Sequence, residues 1–259
     1  MAKTPTGSST DDSVEAGLTK SEIERYSRQL AVPGWSEAGQ RRLKRASVGV
    51  AGAGGLGSAV LMYLVAAGVG RIVVVDKDRV SLSNLNRQVL HWTDDVGRAK
   101  TESASEKLAN LNPEVELQLR QLELTDRNID GIFDGVLAIV DCLDNFPTRY
   151  VLNDCAMRTG TTLVHGAVWG MEGRLTVIVP GQTPCLSCLY PDLPQPELPP
   201  VCGATAALVG SLQATEIIKG ITGIGDQLRN ELLVYDGTMT EFTRLSIRRD
   251  PVCVACSDL

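Results

Sequence analysis

The chain has 259 residues, 43% hydrophobic and 22% charged, enough for a sizeable core in an ordinary globular protein. Its formal net charge of −6 offers no broad basic field and argues against a general nucleic-acid binder. No apolar run approaches the ~20 residues of a membrane span, and the polar start MAKTPTGSSTDDSVEAG lacks the apolar core of a signal peptide, so the expectation is a cytoplasmic protein.

Residues 1–18, rich in Ser, Thr, Asp and Gly, read as a disordered tail. Residues 20–30 have a helical pattern with Ser21 and Glu24 as a capping box, and 35–45 form a second, basic helix, so 19–45 is an N-terminal helical segment. An apolar strand then runs into Gly52-Ala53-Gly54-Gly55-Leu56-Gly57, followed by a helix pattern and a second strand, 72–75, ending on Asp76. This is the order of a dinucleotide-binding βαβ unit. Gly52 permits the turn, Gly54 admits phosphate to the backbone, and Gly57 lets the helix pack on the strand. The helix N-terminus attracts an anion, and the acid suits ribose hydroxyls. A glycine-rich turn that only packs is the plainer alternative.

A long polar loop follows Asp76, then a helix over 96–111, a strand over 115–122, a short helix over 128–133, a buried strand over 135–141, a helix over 147–159 and a strand over 161–165. This alternation predicts an α/β fold with a Rossmann-like, doubly wound parallel sheet over 46–166. The pattern then changes. Residues 169–180 alternate as an antiparallel strand, 185–200 are a proline-rich loop, 203–221 a helix, and 231–236 with 241–247 a closing hairpin. Residues 167–259 are therefore expected to form a mixed, partly antiparallel C-terminal lobe joined to the first part in one compact unit.

Seven cysteines in a reducing compartment point to metal or thiol chemistry rather than disulfides. Cys185-x-x-Cys188 and Cys253-x-x-Cys256 have the spacing of two zinc knuckles; together they fill a tetrahedral four-cysteine zinc site and leave no position open for catalysis. Two separate redox pairs are the alternative. Beyond the glycine turn, the loop Ser83-Asn84-Leu85-Asn86-Arg87-Gln88 and Lys100 place cations where a triphosphate, rather than a pyrophosphate alone, needs them. Arg28 on the early helix is a further candidate. Asp144-Asn145 follow a strand end, where an Asp holds Mg²⁺ against phosphate; Asp141 and Asp78 are alternative ligands, and capping of the next helix is the structural alternative. His91 and His165 read as structural, and Cys142 and Cys155 as core. Cys202, just before a helix start, is a candidate reactive thiol.

In order, RYSRQ, GAGGLG, VVVD, SNLNRQ, GRAK, DCLDN, RY-x-LND, CLSC, SLQATE-x-IK and CVAC resemble the MoeB/ThiF/HesA family, bacterial relatives of ubiquitin-activating enzymes, from about Ile23 to Cys256. The resemblance implies ATP-dependent adenylation of the C-terminal glycine of a ubiquitin-like sulfur carrier of MoaD or ThiS type, ending in Gly-Gly, for cofactor, tRNA or metabolite biosynthesis. It implies that Gly55, Asp76, Ser83 to Arg87, Lys100, Asp144 and Asn145 line the ATP site, with Asp76 on the ribose, Arg87, Lys100 and Arg28 on phosphates and Asp144 on Mg²⁺. It further implies that Arg28 reaches a partner's site in a homodimer and that the four CxxC cysteines hold Zn²⁺. The stretch 201–214 departs from the family pattern around Cys202. No rhodanese domain follows, so an external sulfur donor is expected. The competing functions are an NAD-dependent oxidoreductase and a non-catalytic scaffold for a ubiquitin-like partner.

Overall fold

The computed structural model describes residues 17–191 and 200–259. The expected tail up to residue 16, and 192–199 of the expected proline-rich loop, lie outside the described residues. Helices α1 (Lys20–Arg25), α2 (Ser27–Leu30) and α3 (Ser36–Arg45) lead into β1 (Ser47–Ala51), α4 (Gly55–Ala67) and β2 (Arg71–Val75). The α1 cap is Thr19 with Glu22, not Ser21 with Glu24: Glu22 N donates to Thr19 Oγ1 at 3.2 Å and Thr19 N to Glu22 Oε2 at 2.7 Å. Both pairs have the spacing of a capping box, and the extended backbone of Thr19 decides between them.

The chain continues through α5 (Lys100–Leu111), β3 (Glu116–Arg120), β4 (Ala138–Asp141), α6 (Phe146–Thr159), β5 (Thr162–Trp169), β6 (Glu172–Ile178), α7 (Leu186–Leu189), α8 (Gly203–Thr222), β7 (Glu231–Asp236) and β8 (Glu241–Ser246). Two expected helices are corrected. Residues 128–133 are turns, because Gly131 sits in the left-handed region at φ +82°. The helix expected from residue 96 begins at Lys100, because Gly97 has φ +91°.

The strands form one eight-stranded sheet in the order β3-β2-β1-β4-β5-β6-β7-β8. The first five are parallel and the last three antiparallel, so the expected late antiparallel strands extend the same sheet. One face is covered by α3, α4, α5 and α8, through Leu43, Leu61, Leu64, Leu108 and Val209 among others. The other is covered by α6, α7 and the knuckle cysteines. β1, buried along its whole length, reads as a continuous apolar run, as expected for a strand with helices on both sides.

The order reverses between β1 and β4. Chains leaving those two strands turn to opposite faces and open a crevice at their carboxyl ends. There Gly52 adopts φ +100°, and a Cβ on Gly57 would lie 2.0 Å from the Gly52 carbonyl oxygen. Gly57→Ala is therefore expected to lower stability by at least ~2 kcal/mol, as forced overpacking does. Urea unfolding checks this, and an unchanged midpoint would remove the contact from the account.

Candidate functional site

A cavity of about 630 Å³ lies along the carboxyl ends of the strands, within the usual size of small-molecule sites. It runs from Leu122–Leu124 after β3, past Asp76–Asp78 after β2 and the glycine turn after β1, to Cys142–Asn145 after β4. It ends among Ala167–Trp169, Glu172, Arg174, Tyr190 and Val201.

The glycine turn is clamped. Ala53 N donates to Asp76 Oδ2 at 2.7 Å, and the Ala53 carbonyl accepts from His91 Nε2 at 2.9 Å. A carbonyl only accepts, so the His91 hydrogen is on Nε2, and Nδ1 accepts from Ser103 Oγ at 2.8 Å. Ser103 Oγ in turn accepts from Lys107 Nζ, which is paired with Asp95. Burial, against Ala53's bond, pushes His91 below its ordinary 6.5, and burial does the same to His165 against the Asp141 carboxylate. Both histidines are structural parts of the fold.

Asp76 lines the cavity, and burial, outweighing the neighbouring Lys100, pushes its carboxyl up. Its Oδ1 accepts from Asp78 N at 2.8 Å. Lys100 is buried in the wall, 2.8 Å from Asp78 Oδ2. Arg87 lines the cavity and is held by Ser83 O at 2.9 Å and Asn86 Oδ1 at 3.1 Å. Asn84 Oδ1 caps its own turn by accepting from Ser81 N. Among the predicted residues, Gly52, Gly54, Gly55, Asp76, Asp78, Arg87, Lys100, Asp144 and Asn145 share the cavity. Gly57, Ser83, Asn84, Leu85, Asn86, Arg28 and Cys202 do not line it; the loop 83–86 shapes the backbone that presents Arg87.

Asp144 is exposed at the cavity, and Asn145 Oδ1 caps α6 by accepting from Thr148 N at 2.9 Å, so Asn145 rather than the acid is the helix cap. Asp141 does not line the cavity. It is fully buried, accepts from His165 Nδ1 at 2.7 Å and lies 3.5 Å from Arg149 Nε, so the reading of Asp141 as a metal ligand there is corrected. Arg28 does not join the cations of its own chain. Gln29, beside it, donates to Ala67 O at the far end of α4, which is 13 residues, or ~20 Å, from the glycine turn.

Cys202 is the N-cap residue of α8, one residue past the cavity-lining Val201. The Thr205 and Ala204 backbone N–H groups lower its thiol's pKa. The Sγ atoms of Cys185, Cys188, Cys253 and Cys256 all lie within 4.8 Å of one another. Three of the contacts are 3.5, 3.6 and 3.9 Å, close to the ~3.8 Å edge of a tetrahedron with ~2.3 Å metal–sulfur bonds. One cluster of four thiols that could hold a metal ion thus replaces two separate redox pairs.

Sequence reasoning missed Lys77 and Glu123, paired at 2.6 Å after β2 and β3, and gave no site role to Gln88 of the quoted loop, whose buried Oε1 has no partner among the described residues. It also missed Phe146, Arg149, Trp169, Glu172, Arg174 and Tyr190 on the β4–β6 side. The strand-end rule could have found Lys77 and Glu123, and Gln88 and Arg149 stand inside the quoted runs SNLNRQ and RY-x-LND; no local motif marks the others.

The strand order and this cavity define a nucleotide-binding α/β protein. Within that class the chain belongs to the ThiF family, whose model matches residues 26–255. It is 46% identical over 251 residues to a sulfur carrier protein adenylyltransferase of Thermus thermophilus, covering 93% of each chain. It is 41% identical over 247 residues to a SAMP-activating enzyme E1 of Haloferax volcanii, covering 93% of this chain and 91% of that one. Against the probable adenylyltransferase/sulfurtransferase MoeZ of Mycobacterium tuberculosis, identity is 42% over 91% of this chain and 63% of that one. Among solved structures, E. coli MccB with ATP matches at a TM-score of 0.80 and 25% identity, over 92% of this chain and 75% of that one.

The buried histidines carry a pH signature. A folded-state pKa below the unfolded 6.5 means that stability is complete above pH 6.5 and is lost as pH falls toward the folded value. Urea unfolding from about pH 7.5 to about pH 5 is expected to show stability falling, by at most ~1.4 kcal/mol per pH unit for each histidine, and His91→Gln to flatten the slope. Asp95, held at about 2, adds a further loss only below its ordinary 3.8.

Proposed function

We propose that this chain transfers AMP from ATP to the C-terminal carboxylate of a ubiquitin-like sulfur-carrier protein ending in Gly-Gly, releasing pyrophosphate. In this reading it works in the cytoplasm as a homodimer, and the sulfur comes from an external donor for cofactor, tRNA or metabolite biosynthesis. The chain is an adenylyltransferase of the ThiF family; the carrier, the dimer and the residue roles are the proposal. One observation carries it. A single cavity gathers the glycine turn, two cations and an exposed carboxylate at the strand-order reversal, then continues to β6 with room for a second reactant.

In this reading Asp76 accepts the ribose hydroxyls, and the turn from Gly52 to Gly55 with the α4 N-terminus meets the phosphates. Arg87 and Lys100 screen them, Lys100 by leaving Asp78. Arg28 acts from the second copy, since its own site is a helix length away. Asp144, exposed beside the phosphate position, fits a hard cation and would hold Mg²⁺, which supplies charge screening where two anions must meet. The carrier carboxylate attacks the α-phosphorus, the bond to the bridging oxygen breaks, and pyrophosphate leaves with that electron pair. The nucleophile is already ionised, so no general base is needed. Positioning and electrostatics do the rest. The four knuckle thiols fit one Zn²⁺ and would staple residues 185–188 to 253–256. Cys202, with its lowered pKa at the rim, is kept as a candidate thiol for a later sulfur step.

ATP–pyrophosphate exchange dependent on a MoaD- or ThiS-type carrier tests the activity. Asp144→Ala and Lys100→Ala are each expected to lower it by ~10²-fold or more, the usual cost of losing a charge-stabilising contact. Full exchange in Asp144→Ala would favour the scaffold reading. Elemental analysis should find one zinc per chain. Cys256→Ser should lose it and lower Tm by about 5–10 °C.

A further inference from the structure

The cavity continues past the strand-order reversal, and its far part has a different chemistry. On the β3–β2–β1 side its walls carry cations and the glycine turn; beyond β4 they carry aromatic rings, Arg149 held by the buried Asp141, and one further ion pair. That pair is Glu172 and Arg174, two residues apart on β6 and therefore on one sheet face. They stand opposite Trp169 and Ala167 of β5, which line the cavity with them. Arg174 Nε donates to Glu172 Oε1 at 2.8 Å, and Arg174 Nη2 lies 2.7 Å from the same oxygen. Glu172 Oε2 accepts from no other described residue, and of the five guanidinium N–H groups of Arg174 two face Glu172 and the Tyr190 phenol lies within reach of another, which leaves donors over. Both side chains are 42% exposed.

The pair is thus a neutral unit that keeps a free acceptor beside a free donor. Neutrality argues against a phosphate, which Glu172 would repel. The donor and acceptor match the main chain of an extended peptide, in which the N–H and C=O of one residue point to the same side. The neighbouring Tyr190 strengthens the match. Its hydroxyl, 8% exposed for the residue as a whole, has no hydrogen-bond partner among the described residues. Arg174 stands near enough that the phenol raises its pKa against the effect of burial. An arginine cannot accept, so the phenol hydrogen has no acceptor there.

We infer that Glu172 and Arg174 bind one residue of the carrier's extended C-terminal tail through its main-chain N–H and C=O, with Tyr190 beside them, on the opposite side of β4 from the nucleotide. The inference rests on the carrier reading above and adds the residues that select an extended, main-chain-presenting substrate. Recognition of this kind ignores side chains. It explains how the site can accept a tail of glycines, which offers nothing else to hold.

The test is ATP–pyrophosphate exchange with a MoaD-type carrier ending in Gly-Gly, titrating carrier and ATP separately. Glu172→Gln and Arg174→Met should each raise the carrier KM by ~10- to 100-fold, as expected for a lost charge-assisted hydrogen bond, while the ATP KM stays within about twofold. The unchanged ATP KM also serves as the folding control. The double exchange Glu172→Arg with Arg174→Glu restores the ion pair but reverses donor and acceptor, so the carrier KM should stay high. A merely structural pair would be rescued by it, and that result would overturn the inference. So would an unchanged carrier KM in the single variants, or an equal rise in the ATP KM. Wild-type protein that binds ATP but exchanges with no Gly-Gly carrier would remove the carrier reading itself.

Discussion

The peptide unit of Ala53 is held from both ends, and the rest of the site depends on it. Its N–H is bound by Asp76 at the end of β2 and its carbonyl by His91 in the loop that crosses over the sheet. A glycine turn is entropically costly to order because its residues have the most freedom to lose. Two hydrogen bonds from separate elements fix it before any ligand arrives. Asp76 therefore cannot be regarded only as a ligand-binding acid. One of its oxygens is committed to Ala53 N and the other to Asp78 N, and each keeps a further lone pair. The chain behind His91, through Ser103 and Lys107 to Asp95, ties α5 to the same turn.

The cations of the cavity wall already have partners. Lys100 is bound by Asp78, Lys77 by Glu123 and Arg174 by Glu172, while Arg87 rests on carbonyl oxygens of its own loop. A buried lysine without a partner would lose its proton or destabilise the fold. Asp78 supplies that partner for Lys100 inside the wall. In the proposed reaction a phosphate would replace one anionic partner by another, so the cation would need no new desolvation at the moment of binding.

The parts of this arrangement legible in the sequence are those written in local runs. The glycine turn, the strand ends at Asp76 and Asp141, and the two knuckles each occupy a few neighbouring residues. Their strand, turn and helix contexts folded as periodicity and turn chemistry require. The errors came where a single glycine outweighed periodicity, as at Gly97 and Gly131, or where two capping boxes had equal claims. The β4–β6 wall was not legible for another reason. Phe146, Arg149, Glu172, Arg174 and Tyr190 come from separate segments, and only the antiparallel return of β6 beside β5 makes them neighbours. Asp141 was misplaced likewise. The sequence puts it at a strand end, but His165 from β5 and Arg149 from α6 enclose it.

The thiol cluster is linked to this wall by an unbroken chain of contacts. Cys185 and Cys188 bracket the short helix α7, whose Leu186 N–H is accepted by Asn153 Oδ1 of α6 at 2.9 Å. Tyr190 N then donates to Leu186 O at 2.9 Å, and its ring packs on Phe146 and His165 at centroid distances of 5.5 and 5.9 Å. A helix of four residues has almost no stability of its own. Its position is set by what holds its ends, which are the cysteines on one side and Asn153 on the other. A metal held at the knuckles would therefore act beyond closing the C-terminal tail. By fixing α7 it would fix the ring of Tyr190, and through that ring the width of the cavity beyond β4, although no thiol of the cluster lines the cavity.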